Sequence, residues 1–142
     1  MSASENRLYF LLQLTAHRLK KRADTELKSI SGLTTAQAAA LAIIAKDGPV
    51  SQKQVADTLS QRESAVMTMA TRLLNAGFIT RRRSRSDARA WELEASKKGL
   101  FALSEIEIPL TKLNNLLDAC LGDKNMDRFA DDLKKILKAL AE

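Results

Sequence analysis

The sequence is poor in the residue types that carry most site chemistry. A single cysteine, Cys120, excludes an intrachain disulfide framework, and a single histidine, His17, leaves too few N/S ligands for a metal cage within one chain. Five glycines supply no phosphate-cradling loop. No nucleophile, base and orienting group fall into a recognisable trio, so neither a cofactor nor enzyme activity is expected. His17, between Ala16 and Arg18, reads as a surface or interface residue, and Cys120 as a small hydrophobe on an apolar seam. Aromatic residues make up only 4% of the chain, and two prolines with few β-branched runs point to helices and at most one small sheet. No stretch approaches the ~20 apolar residues of a membrane span. The basic group Arg18, Lys20, Lys21 and Arg22 follows the N-terminal apolar run, where a secretory signal would have its charge first. The expectation is a single domain in a reducing cytoplasm.

What is present is concentrated between Ser51 and Trp91. Ser51 and Gln54 have the spacing of a capping box, and Val55, Ala56 and Leu59 form the apolar stripe of a short helix. A second such spacing, Ser60 with Glu63, predicts that the next helix starts almost at once. Val66, Met69, Ala70 and Leu73 give that helix one buried face, and Arg62, Ser64, Ala65, Thr68 and Arg72 occupy the other. Gly77 is the expected left-handed terminator. This is helix-turn-helix spacing. Phe78 and Ile79, then Trp91 and Leu93 alternating with Glu92 and Glu94, read as two strands joined by a polar tip from Thr80 to Ala90. Residues 62–89 hold seven basic side chains against Glu63 and Asp87, so a surplus of five out of the chain's net +6 lies in this stretch. A charge run alone is usually a solvated loop. Beside a helix-turn-helix it is the footprint of a nucleic-acid backbone.

This stretch resembles the winged-helix repressors of the multiple-antibiotic-resistance regulator (MarR) family. The likeness rests on Leu33-Thr34 at a helix start, Ser51-Gln52 through Leu59, Arg62 through Gly77, and Asp87-Ala88-Arg89 in the wing. It runs on through Gly99, and the helical frame fits on either side. The implied fold is mainly α with a small β-hairpin wing, a winged helix-turn-helix over 33–96 embedded between dimerisation helices at 1–32 and 97–142. The implied function is sequence-specific binding of double-stranded DNA by a homodimeric transcription regulator, a repressor, on a pseudo-palindromic operator. Arg62, Ser64, Ala65, Thr68 and Arg72 would line the major groove, with Ser64 and Thr68 as hydrogen-bonders and Ala65 against a thymine methyl. Arg81, Arg82, Arg83, Arg85 and Arg89 would hold phosphates or enter the minor groove, and Asp87 would brace the wing by pairing with an arginine. Two departures stand out. Met67-Thr68 replaces the family's frequent Thr-Arg, and Ala88 replaces an arginine of Asp-Arg-Arg, a charge that Arg83 and Arg85 can supply. A different class of reading keeps the fold but turns the basic wing on an acidic partner protein.

The flanking segments carry the apolar surface. Leu8, Tyr9, Phe10, Leu11, Leu12 and Leu14, within a helix expected over about 5–28, are apolar nearly all round. Such a helix needs cover on more than one side, either from a second subunit or from a monomer core around it. Thr34 and Gln37 predict a boxed helix through about Ala45, stopped by Asp47-Gly48-Pro49. Ser96 is the expected cap of a long helix to Leu121, with Leu103, Ile106, Leu110, Leu113, Leu117 and Cys120 spaced as a coiled-coil seam and Pro109 expected to kink it. Met126, Phe129, Leu133, Ile136 and Leu140 repeat that spacing after Gly122. Leu8, Leu11, Leu110, Leu113, Leu117, Phe129, Leu133 and Ile136 are thus assigned to dimerisation. The resemblance also implies a groove for a small aromatic or phenolic effector, bordered here by Tyr9, His17, Arg18, Ala38, Ala42 and Phe101. Ala38 stands where the family usually has an aromatic. That leaves either a cavity or helices drawn closer, and closure is the commoner outcome in close-packed interiors.

Overall fold

Short polar side chains that reach the first free backbone amides set several of the helix starts. The structure, a computed structural model, describes residues 3–141, with side chains described from Arg7. α1 (Ala3–Ser31) runs past the expected end at Lys28 and stops at Gly32, whose φ of +78° takes the left-handed backbone. α2 (Thr35–Asp47) opens on the expected box: the Gln37 amide donates to Thr34 Oγ1 and the Thr34 amide to Gln37 Oε1, both at 3.1 Å. α3 (Gln52–Leu59) repeats the device with Ser51 and Gln54, at 3.1 and 2.9 Å.

The third expected box, Ser60 with Glu63, does not form. Ser60 lies in the left-handed region at φ 53°, ψ 44°, where it closes α3, whereas an N-cap needs extended backbone. Arg62 takes the cap position of α4 (Glu63–Asn75) instead, without a side-chain bond. α4 ends on Gly77 at φ +82°. There the Phe78 amide donates to the Leu73 carbonyl at 2.9 Å and the Gly77 amide to that of Leu74 at 3.0 Å, the paired closure of a Schellman motif.

β1 (Ile79–Arg83) and β2 (Trp91–Ala95) pair antiparallel, from Ile79 opposite Ala95 to Arg83 opposite Trp91. The strand therefore takes Thr80 to Arg83 out of the expected tip, which shrinks to Ser84–Ala90. Val50 bridges to Leu93 on the other edge of β2. α5 (Lys97–Leu121) is capped as expected, the Gly99 amide donating to Ser96 Oγ at 3.1 Å, and it continues through Pro109. α6 (Asp123–Leu140) follows Gly122. No single helix among the described residues is long and apolar enough to cross a membrane.

The chain packs as two compact units, Met1–Glu107 and Ile108–Glu142. The first holds the main core, in which Leu41 and Ile44 of α2, Val55 of α3, Val66 and Leu73 of α4 and Leu93 of β2 are almost wholly buried. Each such side chain contributes about 1.5–3 kcal/mol relative to exposure. Gly99 is required by close approach: a Cβ there would collide with the Phe78 carbonyl and lie 3.2 Å from Leu41 Cδ1. Asp24 of α1 ties α2 down, its Oδ1 accepting both the amide and the hydroxyl of Thr35 at 2.6 Å. The Thr35 hydroxyl first, then its amide, hold the Asp24 carboxyl below its ordinary pKa.

Apolar side chains at the two ends of the chain are far less covered. Leu8, Tyr9, Phe10, Leu11 and Leu12 of α1 are exposed. In the second unit Leu110, Phe129, Ile136 and Leu140 are exposed and Leu117, Met126 and Leu133 half-buried, but Leu113 is buried. Leu113 thus has little surface left to offer a partner.

Candidate nucleic-acid interface

The helix-turn-helix is made by α3 and α4, joined through Ser60-Gln61-Arg62 alone. Val66, Ala70 and Leu73 anchor α4 in the core with Met69 packed beside them, and this burial turns the other face outward. Arg62, Ser64, Ala65, Thr68 and Arg72 are all exposed on that side. The Thr68 hydroxyl donates to the Ser64 carbonyl at 3.2 Å, which leaves its lone pairs for an incoming donor. Glu63 in the first turn and Arg72 in the last both complement the helix dipole.

Two side chains from the start of α5 hold the C-terminal end of α4. Ser96 Oγ donates to the Gly77 carbonyl and Lys98 Nζ to the Ala76 carbonyl, both at 2.6 Å. Lys98 Nζ also lies 4.8 Å from the centre of the Phe78 ring. Sequence reasoning missed both contacts, because nothing local pairs residue 98 with residue 76.

The hairpin has two different faces. Strand alternation puts Ile79, Arg81 and Arg83 on one side with Trp91, Leu93 and Ala95, and Thr80 and Arg82 on the other with Glu92 and Glu94. Leu93 and Ile79 are buried, so the first side is the one turned toward the helices. Arg81 and Arg83 lie over the Trp91 ring, their guanidinium carbons 4.5 and 4.1 Å from its centre. On the far side Arg82 is bracketed by carboxylates, Glu94 at 3.0 Å and Glu92 at 3.7 Å. The expected five-charge surplus counted Arg82 but stopped short of these two glutamates. Arg82 is therefore a paired residue of the hairpin, not a free cation.

Asp87 makes a different bond from the one expected. Its Oδ1 accepts the Arg89 backbone amide at 3.0 Å, a local turn, and among the described residues it has no ion pair with an arginine. Ser84 Oγ accepts the amides of Ser86 and Asp87, both at 3.2 Å, and Arg83 donates to the Ala88 carbonyl at 3.2 Å. These bonds order the tip and leave Arg85 and Arg89 exposed. Between hairpin and helices lies an open cleft of about 320 Å³, lined by Ser51, Gln52, Lys53, Glu63, Arg89, Ala90 and Trp91.

The residues assigned to an effector groove are disposed differently from one another. Tyr9, His17, Arg18, Ala42 and Phe101 are exposed, while Ala38 is buried in a cluster with Leu27 and Ile106. Ala38 keeps little accessible surface, being packed in that cluster.

Residues 31–90 match the MarR family model. Over these 60 of 142 residues the chain is similar to the MarR family. The match spans α2, α3, α4, β1 and the hairpin tip and stops just before β2. A likeness of fold extends beyond that segment in solved structures. S. aureus MepR in its DNA complex superposes with a TM-score of 0.85 at 19% identity, over 93% of this chain and 96% of that one. Streptococcus pneumoniae FabT in complex with DNA gives 0.82 at 18% identity, over 96% of each chain. PcaV of Streptomyces coelicolor, in complex with its natural ligand, gives 0.74 at 21% identity, over 89% of this chain and 92% of that one. At these identities the likeness is one of fold. No curated protein sequence matches the chain.

Proposed function

We propose that this protein is a sequence-specific, double-stranded-DNA-binding transcription regulator, a repressor that acts as a homodimer on a pseudo-palindromic operator. The observation that carries the reading is the exposed α4 face of Arg62, Ser64, Ala65, Thr68 and Arg72 set beside a hairpin with free guanidinium groups, on a MarR-family frame. DNA held by the MepR and FabT structures supports it. A helix that presents short hydrogen-bonding side chains flanked by arginines suits base edges between two phosphate backbones. Arg85 and Arg89 contact phosphates or the minor groove from the tip. Leu8, Leu11, Leu110, Leu117, Phe129, Leu133 and Ile136 form the dimer interface, a reading supported by the apolar surface that they leave uncovered in one chain.

Selection of bound duplexes from a random pool tests this directly. The expected outcome is two related half-sites about one helical turn (~10 bp) apart. Arg85→Ala and Arg89→Ala should each weaken binding to every duplex and flatten the salt dependence by about one counterion. Failure of any duplex to bind, with retention of an acidic protein instead, would favour the protein-interaction module. A small aromatic or phenolic effector completes the reading, supported by the ligand in the PcaV structure. Such a compound must bind one arrangement of the dimer better than the other, since equal affinity shifts nothing. Thermal-shift screening with aromatic carboxylates, followed by DNA titration of each hit, tests it.

A further inference from the structure

We propose that Trp91 is a positioning residue for DNA: its indole holds Arg81 and Arg83 as an ordered pair of phosphate-binding groups on the helix side of the hairpin, while Arg82 is kept out of the contact by Glu92 and Glu94. The proposal rests on the DNA-binding reading and narrows it to particular side chains. Three independent observations meet here. Arg81 and Arg83 both stack on the same ring, at 4.5 and 4.1 Å. Strand alternation places that ring on the side of the hairpin whose inner end, Ile79 and Leu93, is buried against the helices. Trp91 also borders the cleft shared with Ser51, Lys53 and Glu63, so the stack lies beside the N-terminal ends of α3 and α4.

The chemistry follows from guanidinium geometry. Stacking engages the flat face of the group and leaves in-plane N–H donors for phosphate oxygens, on Arg83 those that remain after Nη1 donates to the Ala88 carbonyl. A long arginine side chain otherwise loses much rotamer freedom when it is fixed on a ligand. Two arginines already resting on one ring lose less. Arg82 has the opposite arrangement: the Glu94 carboxylate takes its Nη2 at 3.0 Å, Glu92 forms a longer ion pair at 3.7 Å, and its strand position points it to the far side.

Trp91 is the chain's only tryptophan, so its fluorescence reads the stack without DNA. In the free protein, Arg81→Gln with Arg83→Gln should shift Trp91 emission and raise its quenching by acrylamide, whereas Arg82→Gln should change neither. Duplex binding is then titrated by anisotropy with a labelled duplex of mixed sequence over a range of salt. Removal of Arg81 and Arg83 should lower the salt slope by about two counterions, and Arg82→Gln should leave it unchanged. Trp91→Leu should weaken binding about tenfold, on two exposed stacking contacts, and Trp91→Phe should recover all but about threefold of the affinity. In the Arg81→Gln, Arg83→Gln background Trp91→Leu should have no further effect on binding. If wild-type protein binds duplex DNA but Arg82→Gln flattens the salt slope as much as Arg81→Gln or Arg83→Gln does, the two faces are equivalent and the proposal is overturned alone. Equal affinity of Trp91→Leu and wild type overturns it in the same way. If the wild type binds no duplex, the DNA-binding reading falls and takes this one with it. The Arg82 comparison decides the matter even if Trp91→Leu fails to fold.

Discussion

In the winged-helix region Leu41, Val55, Val66, Leu73 and Leu93 keep almost no accessible surface, whereas in α1 and α6 Leu8 keeps 63%, Phe10 63%, Phe129 44% and Ile136 41%. The two regions have similarly apolar faces and opposite ways of covering them. α2, α3, α4 and the hairpin bury their stripes against each other, so the part that would meet DNA is complete within one chain. The terminal helices carry apolar side chains that the described residues leave largely uncovered. An uncovered surface of that kind marks an interaction site in a folded protein. The lesson is a division of labour: helix-turn-helix elements whose apolar stripes are covered within one chain, and terminal helices whose apolar faces are left open.

The comparison breaks most visibly in the core. Leu41→Ala should cost about 2–5 kcal/mol, as large-to-small changes at fully buried sites do. This loss should be much the same at every protein concentration in urea unfolding, apart from the mass-action term that any dimer carries. Paired Phe129→Glu and Ile136→Glu should act through association instead. Sedimentation should show wild-type dimer at low micromolar concentration and mostly monomer for the variant, whose melting temperature no longer rises with concentration. A wild-type monomer under those conditions would show that α6 needs no second copy. The smallest effect should come from Asp24. Its carboxyl is held below the ordinary range by Thr35, so its contribution is complete above the unfolded-state value near pH 4 and is lost as pH falls through the lowered folded value. Melting curves of wild type and Asp24→Asn should therefore differ at pH 6 and converge on acidification toward pH 3.

How far the sequence could be read depended on how local the deciding interaction was. The boxes at Thr34–Gln37 and Ser51–Gln54 join residues three apart, and both are present. Ser60–Glu63 has identical spacing but fails, because one residue cannot close α3 in left-handed backbone and also cap α4 in extended backbone. Helix periodicity located Val66, Met69, Ala70 and Leu73 because the buried stripe is a property of α4 itself. In the wing, Thr80 to Arg83 looked like a polar loop, since a run of arginines has little intrinsic preference for a strand. Cross-strand partners make it one: Trp91 under Arg81 and Arg83, and Glu92 with Glu94 around Arg82. Those pairs become visible only once the register is known, which is why a charge count over residues 62–89 leaves out Glu92 and Glu94. The exposed terminal helices were legible as apolar, but no periodicity can say whether their cover lies in the same chain.

The bonds from Ser96 and Lys98 to the carbonyls of Gly77 and Ala76 have a mechanical meaning. They weld the tail of α4 to the first turn of α5, and Gly99 lets the chain at Phe78 sit directly against that joint with no side chain between. The tail of α4 and the start of α5 thus share one joint, and Arg72 and Thr68 sit about one and two turns back from it along the same helix.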